Sequence, residues 1–288
     1  MRRLYLIIFS CLILCNTLSA QNYLPRSSGE LVEHTYFTLS YIEEHEQAEW
    51  VYYTLSPATL TGQASRSDNF RSDGKVSTKS ATTDDYKSSG YDRGHLCPAA
   101  SMSRNDTAMS ESFLMSNMSP QIPAFNRGAW KSLEERVREL ALRDSVLHVV
   151  TGSILSESLG SIGENRVTVP KYYYKVLYSP KKGAMIAFIM ENCKLDDSLD
   201  SYATSVDRLE QLSGIDFFAQ LNDELQTEES KVDLSLWVVQ GDPIFVNSSD
   251  ESVSDSVATK QCQAITSSGA QCKRTAQSGS DYCWQHQK

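Results

Sequence analysis

The chain has 288 residues, 40% of them hydrophobic and 22% charged, with 27 basic against 36 acidic side chains and a formal net charge of −9. That composition belongs to an ordinary globular protein, long enough for one substantial domain with small appendages. The acidic sum weighs against a uniformly basic, nucleic-acid-coating surface, but it leaves room for a local basic cleft.

The N-terminus reads as an export signal. Arg2 and Arg3 precede an apolar run from Leu4 to Cys15, and Leu18-Ser19-Ala20 stands before Gln21. The pattern predicts a signal peptide over residues 1–20, cleaved after Ala20, and a secreted or periplasmic protein. The run is short for a membrane span; an uncleaved anchor is the alternative, and no other stretch reads as transmembrane. Removing Cys11 and Cys15 leaves Cys97, Cys193, Cys262, Cys272 and Cys283. An oxidising compartment makes Cys97–Cys193 a candidate bridge, subject to a geometry the sequence does not give.

Residues 21–30 read as an unanchored leader. Tyr36–Leu39 and Trp50–Leu55 are rich in aromatic and β-branched residues and predict strands. Residues 61–90 are polar and read as a long surface loop of the kind that often carries function. A helix is expected from near Asn126, because Trp130, Leu133, Val137 and Leu140 recur at helical spacing. Val146–Gly152 predicts a buried strand. Tyr172–Leu177 and Ala184–Met190 predict paired strands joined by the turn at residues 179–183. Val206–Leu212 and Phe217–Leu225 predict helices. Strands and helices do not alternate regularly, so the fold class expected is α+β. Residues 247–260 form an acidic linker of low complexity, and 261–288 a small Cys/His module.

Three segments carry chemistry: Gly90-Tyr91-Asp92-Arg93-Gly94-His95-Leu96-Cys97-Pro98, then Ser116-Asn117-Met118-Ser119-Pro120-Gln121, then Phe125-Asn126-Arg127-Gly128-Ala129-Trp130 followed by Leu133-Glu134. Cutting a phosphodiester requires a base for the attacking water, positive charge on the phosphoryl oxygens and stabilisation of the departing oxygen. A neutral imidazole, here His95, is suited to accept a proton near neutral pH. Arg93 offers a planar fork to phosphate. Mg2+ keeps most of its water shell and needs few protein ligands, so one side-chain oxygen at Asn126 suffices, with Glu134 placed to hold metal-bound waters. Each residue also has a plainer role open to it. His95 can cap a turn, Asn126 can cap the helix, and Glu134 and Arg138 are spaced i, i+4 as an exposed ion pair. Asn117 and Gln121 can hold loop backbone, Asp92 can orient its loop, and Trp130 can be core.

Together these segments resemble the DNA/RNA non-specific endonuclease family over a domain spanning residues 31–246. Residues 204–210 and 214–218 also resemble the family's later segments. The resemblance implies a ββα-metal nuclease core, a hairpin crossed by a helix, within a mixed sheet-and-helix domain. It implies His95 as general base, Asn126 as ligand of Mg2+ or Mn2+, Glu134 as orienter of metal waters, and Arg93, Asn117, Gln121 and Arg138 beside the phosphate. An upstream arginine of the family's site is filled by either Arg66 or Arg71. DNA and RNA substrates, products with 5′-phosphate and 3′-hydroxyl ends, and a homodimer follow from the same resemblance. A nucleic-acid-binding protein without hydrolysis, or a small-nucleotide phosphodiesterase on the same fold, are the competing readings.

At the C-terminus, Cys262, Cys272, Cys283 and His286 match the donor set of a closed tetrahedral Zn2+ site. The alternative is a disulfide with one spare thiol. Lys260, Lys273, Arg274 and Lys288 beside Tyr282 and Trp284 suit extra nucleic-acid contact by stacking next to positive charge, or a purely structural cap.

Overall fold

The computed structural model describes residues 23–221 and 223–239, together with positions 263, 264, 271 and 281. The expected signal peptide, the linker, and Cys262, Cys272, Cys283 and His286 lie outside the described residues. The chain divides into two units, residues 1–242 and 243–288, and the described strands and helices all belong to the first.

In chain order the strands are β1 (Glu30–Glu33), β2 (Phe37–Ile42), β3 (Gln47–Leu55), β4 (Asp92–His95), β5 (Met118–Gln121), β6 (Leu147–Ser153), β7 (Ser158–Ile162), β8 (Val167–Pro170), β9 (Tyr172–Ser179), β10 (Ala184–Glu191) and β11 (Ala203–Thr204). The helices are α1 (Pro57–Leu60), α2 (Thr83–Tyr86), α3 (Asp106–Glu111), α4 (Pro123–Asn126), α5 (Ala129–Asp144), α6 (Val206–Ser213) and α7 (Asp223–Gln226). Seven strands form one sheet in the order β1-β2-β3-β6-β9-β10-β11, while β4 with β5 and β7 with β8 make separate antiparallel pairs. Every pairing in the large sheet is antiparallel.

Strict alternation places side chains on two faces. On β9, Tyr173 and Leu177 enter one core while Tyr174, Val176 and Tyr178 enter the other; on β10, Ile186 and Phe188 face the first and Met185 and Ala187 the second. The first face is covered by α5, whose Trp130, Leu133, Val137 and Leu140 are all buried, as the helical spacing predicts. The second is covered by α6, through Val206 and Leu209, and by Phe217, Phe218 and Leu221.

Four expectations need correction. The helix does not start at Asn126: Pro123–Asn126 is a separate single turn, and α5 begins at Ala129 behind the cap residue Gly128. Phe217–Leu225 is not a helix. Phe217, Phe218 and Leu221 bury their side chains from an irregular segment, with Phe218 at a φ of 55°, and only Asp223–Gln226 is helical. The leader is anchored: the Tyr23 ring stacks on His148 at 3.8 Å, and Trp50 donates its indole N–H to the Arg26 carbonyl at 3.2 Å. Cys97 and Cys193 are both free thiols, the first buried and the second partly exposed. The β7–β8 hairpin carries no clear sequence signal, because Ser158, Gly160 and Ser161 interrupt any apolar alternation.

Candidate active site

Leu55 at the end of β3 pairs with Leu147 at the start of β6. Residues 56–146 therefore leave the sheet between two hydrogen-bonded neighbours, and nearly every predicted site residue lies in that excursion. Its frame is the β4–β5 pair, with Asp92 opposite Gln121 and His95 opposite Met118, followed by α4 and α5. The two strands are not a tight hairpin: residues 96–117, including α3, run between them. Pro120, which cannot donate to a ladder, is tolerated because each strand has a single partner.

Gly94 is required by close approach. A Cβ there would come within 2.2 Å of Gln121 Cδ and Oε1. The Gln121 amide thus lies across the glycine, fully buried, with neither its nitrogen nor its oxygen bonded. Asn117 has a different fate. It is buried, its Oδ1 accepts the Cys97 N–H at 2.8 Å, and its Nδ2 donates to the carbonyls of Cys97 at 2.9 Å and Ser112 at 2.8 Å. Its polar atoms are occupied by backbone, so of the two roles open to it in the sequence the geometry favours holding the loop.

His95 sits in an aromatic box. Its ring meets Phe113 edge-on at 5.0 Å and Phe70 at 5.8 Å, and the two phenylalanines meet edge-on at 4.9 Å. Arg93 lies over the Phe70 ring at 4.0 Å and Arg66 over Phe113 at 4.8 Å. Two phenyl rings thus hold one imidazole and two guanidiniums, combining edge-to-face and cation–π geometry. His95 Nε2 is buried without a hydrogen-bond partner, leaving Nδ1 as the ring nitrogen open to the cleft. Burial, then the charges of Arg66 and Arg93, push the imidazole pKa down to about 3, so His95 is neutral near pH 7. The choice between the two upstream arginines is visible here. Arg66 reaches the box, whereas Arg71 donates to the carbonyls of Asn69 at 3.2 Å and Ser110 at 2.9 Å. The loop bearing Arg66 and Phe70 is tethered by a buried network in which Asp73 accepts from Ser116 at 2.6 Å and pairs with His34 at 2.9 Å.

Asn126 donates its Nδ2 to Asp92 Oδ2 at 2.9 Å, and Arg127 grips the same carboxylate through both oxygens at 2.8 and 2.6 Å. These bonds hold the Asp92 carboxyl below its ordinary range against the cost of burial. They also fix the amide of Asn126 with Oδ1 as its uncommitted atom, a hard oxygen donor of the kind a Mg2+ or Mn2+ ion takes. Asp92 therefore orients the ligand side chain.

Glu134 and Arg138 project from α5 toward the sheet; among the described residues no ion pair joins them, and the exposed i, i+4 pair of this helix is Lys131–Glu135 at 3.6 Å. Burial raises the Glu134 carboxyl, opposed chiefly by the charges of Lys175 and Arg138. Arg138 Nη1 is buried with no partner. Lys175, on β9, was not legible as a site residue. It is fully buried, donates to Thr151 Oγ1 at 2.9 Å and lies 4.4 Å from the centre of the Trp130 ring. Burial lowers its pKa, and Glu134 offsets that. Phe70 and Phe113 were likewise missed, since nothing in a sequence distinguishes an aromatic that lines a site from one that fills a core.

The structure thus gathers His95, Arg93, Arg66, Gln121, Asn126, Glu134 and Arg138 around the β4–β5 pair and the start of α5, and turns Asn117 and Arg71 to backbone. Over residues 16–224 the chain matches the DNA/RNA non-specific endonuclease family. A nuclease of Nostoc sp. is 39% identical over 212 residues, covering 68% of this chain and 76% of the relative. Human mitochondrial endonuclease G is 32% identical over 206 residues, covering 66% and 69%, and nuclease C1 of Cunninghamella echinulata is 33% identical over 217 residues, covering 69% and 86%. The fold is similar to that in the crystal structure of the EndoG/EndoGI complex, with a TM-score of 0.63 and 28% identity, covering 68% of this chain and 89% of that one. A family match across most of the chain and relatives of this similarity make it a member of the DNA/RNA non-specific endonuclease family, an enzyme that hydrolyses nucleic acid.

Proposed function

We propose that the chain is an exported endonuclease that cuts DNA and RNA without sequence preference, with His95 as general base and Asn126 holding Mg2+ or Mn2+. The observation that supports this most directly is the box: a neutral imidazole with one open nitrogen, flanked by two arginines on rigid aromatic supports. In this reading Nε2 keeps its proton against the aromatic wall, and Nδ1 takes a proton from the attacking water. The low proton affinity of free His95 is partly the work of Arg66 and Arg93. A phosphate seated between them cancels that share, so the base strengthens when substrate is bound. Arg66, Arg93 and Arg138 stabilise the charge on the phosphoryl oxygens, and Gln121 offers its unpaired amide to the same group. A metal ion bound at Asn126 would neutralise the scissile phosphate and the departing 3′ oxygen. Glu134 is placed one turn and a half along α5 to order the waters of that ion, held there over Lys175. Products would carry 5′-phosphate and 3′-hydroxyl ends.

The Cys262, Cys272, Cys283 and His286 set remains a proposal for a Zn2+ appendage that adds nucleic-acid contact, and a homodimer remains one for the assembly. The decisive experiment is digestion of supercoiled plasmid and of total RNA, with Mg2+ and with EDTA, by the wild type and by His95→Ala. Metal-dependent loss of both substrates, abolished in the variant, is the expected result. No cleavage by folded protein under any divalent metal would leave a binding protein, and cleavage of mononucleotide esters alone would leave a small-nucleotide phosphodiesterase.

A further inference from the structure

The opposite face of the large sheet carries charge that the nucleolytic reaction does not use. Asp207 and Glu210 lie one turn apart on α6, and Glu229 comes from the 3-10 turn Thr227–Ser230 packed against it. One carboxylate oxygen from each lies within 4.8 Å of the others. Glu229 is only 9% exposed and has no hydrogen bond or ion pair among the described residues. Burying a carboxylate without a partner is costly, and here two further carboxylates face it. The basic side chains close by in sequence are engaged elsewhere. Arg208 reaches Gln211 at 3.5 Å, Lys231 pairs with Glu228 at 2.5 Å, and Arg26 pairs with Asp216 at 2.8 Å. Glu210 has one compensating bond, from the Phe217 N–H at 2.8 Å. Three carboxylates therefore converge from two elements with no cation of the protein among them, and a fully hydrogen-bond-competent side chain is buried in their midst.

We propose that Asp207, Glu210 and Glu229 bind a divalent cation, Ca2+ by the chemistry of the donors, and that the ion clamps the Thr227–Ser230 turn to α6. All three donors are hard oxygens, and carboxylates spaced this way suit a large ion of flexible coordination better than the strict octahedron of Mg2+. The site lies across the sheet from Asn126, so its role is stability of the second core rather than catalysis.

The test is thermal unfolding of the full chain, stripped of metal with EDTA and then titrated with CaCl2, for the wild type, Glu229→Gln and Asp207→Asn. At about 100 times the dissociation constant the wild-type Tm is expected to rise by about 5–10 °C. Both variants should lose that rise while cleaving plasmid in Mg2+ at the wild-type rate. In EDTA, Glu229→Gln should be at least as stable as the wild type, because it removes the buried charge. Should one variant fail to fold, the other carries the comparison, and calorimetric titration with CaCl2 should show one site fewer than in the wild type. An equal Tm rise in the wild type and both variants would place the cation elsewhere and overturn the proposal. So would no rise in any of them, which would mean that Glu229 is simply protonated in the fold.

Discussion

Phe113→Leu tests whether the aromatic box does more than fill space. Phe113 is fully buried and holds three partners: an edge contact to His95, one to Phe70, and the Arg66 guanidinium over its face. Edge-to-face pairs are worth about 0.5–1.5 kcal/mol each beyond area burial, and an accessible cation–π contact about 0.5–1 kcal/mol. Leucine keeps most of the apolar volume and loses all three. The directional loss thus totals about 1.5–4 kcal/mol, shared between global stability and placement of His95 and Arg66. We expect unfolding free energy to fall by about 1–2 kcal/mol. We also expect kcat to fall about tenfold or more, at about 1.4 kcal/mol per decade, with KM for plasmid nearly unchanged. The measurements are urea unfolding and initial rates of plasmid cleavage on the same preparation, below the unfolding transition. A variant that loses stability yet cleaves within twofold of wild type would refute the argument and reduce Phe113 to packing.

Groups outside that box give two more expectations. Asn117→Ala leaves a buried N–H of Cys97 and carbonyls of Cys97 and Ser112 without partners; at about 1–3 kcal/mol for each unsatisfied group, with incomplete additivity, a loss of about 3–5 kcal/mol is expected by urea unfolding. A rise in KM for DNA without loss of stability would instead put Asn117 against substrate. His148, covered by Tyr23 and bonded to the Tyr52 hydroxyl at 2.7 Å, has its pKa lowered by burial to about 4. The native state refuses a proton that the unfolded chain accepts near pH 6.5, so stability present above that pH is lost as pH falls toward 4. Relative to His148→Gln, the wild type should lose about 1.4 kcal/mol per pH unit between about pH 6 and 4. Urea unfolding at several pH values checks this, and parallel pH dependences for the two proteins would contradict it.

What could be read from the chain divides along physical lines. The central strands were legible because alternation and β-branched or aromatic content coincide there, as in Trp50–Leu55 and Ala184–Met190. Helix α5 was legible from its buried stripe, but its start was not. Pro123 opens a separate single turn, and the break at Arg127-Gly128 has no apolar signature. Phe217–Leu225 has helical spacing by coincidence, because its apolar residues are gathered by the second core rather than by a helix. The anchoring of Tyr23 depends on His148, 125 positions away, which no local pattern encodes. At the site, the residues that bear charge or lone pairs declared themselves through motif spacing. Phe70, Phe113 and Lys175 did not, since their effect exists only through neighbours brought from other elements. The assignment of Arg66 over Arg71 likewise depended on the course of a loop.

The pairing of Leu55 with Leu147 has a consequence for how the protein comes into being. The excursion between them spans residues 56–146 and holds His95, Asn126, Glu134 and all the arginines gathered at the site. Its two ends meet only when β3 and β6 zip together at the middle of the sheet, a contact of long sequence separation that costs loop entropy before it returns any. β9, which supplies the lysine beneath Glu134, must then dock on β6. The cutting apparatus is therefore among the last things the folding chain completes. A polypeptide still emerging, or held unfolded, carries every catalytic side chain and no catalyst.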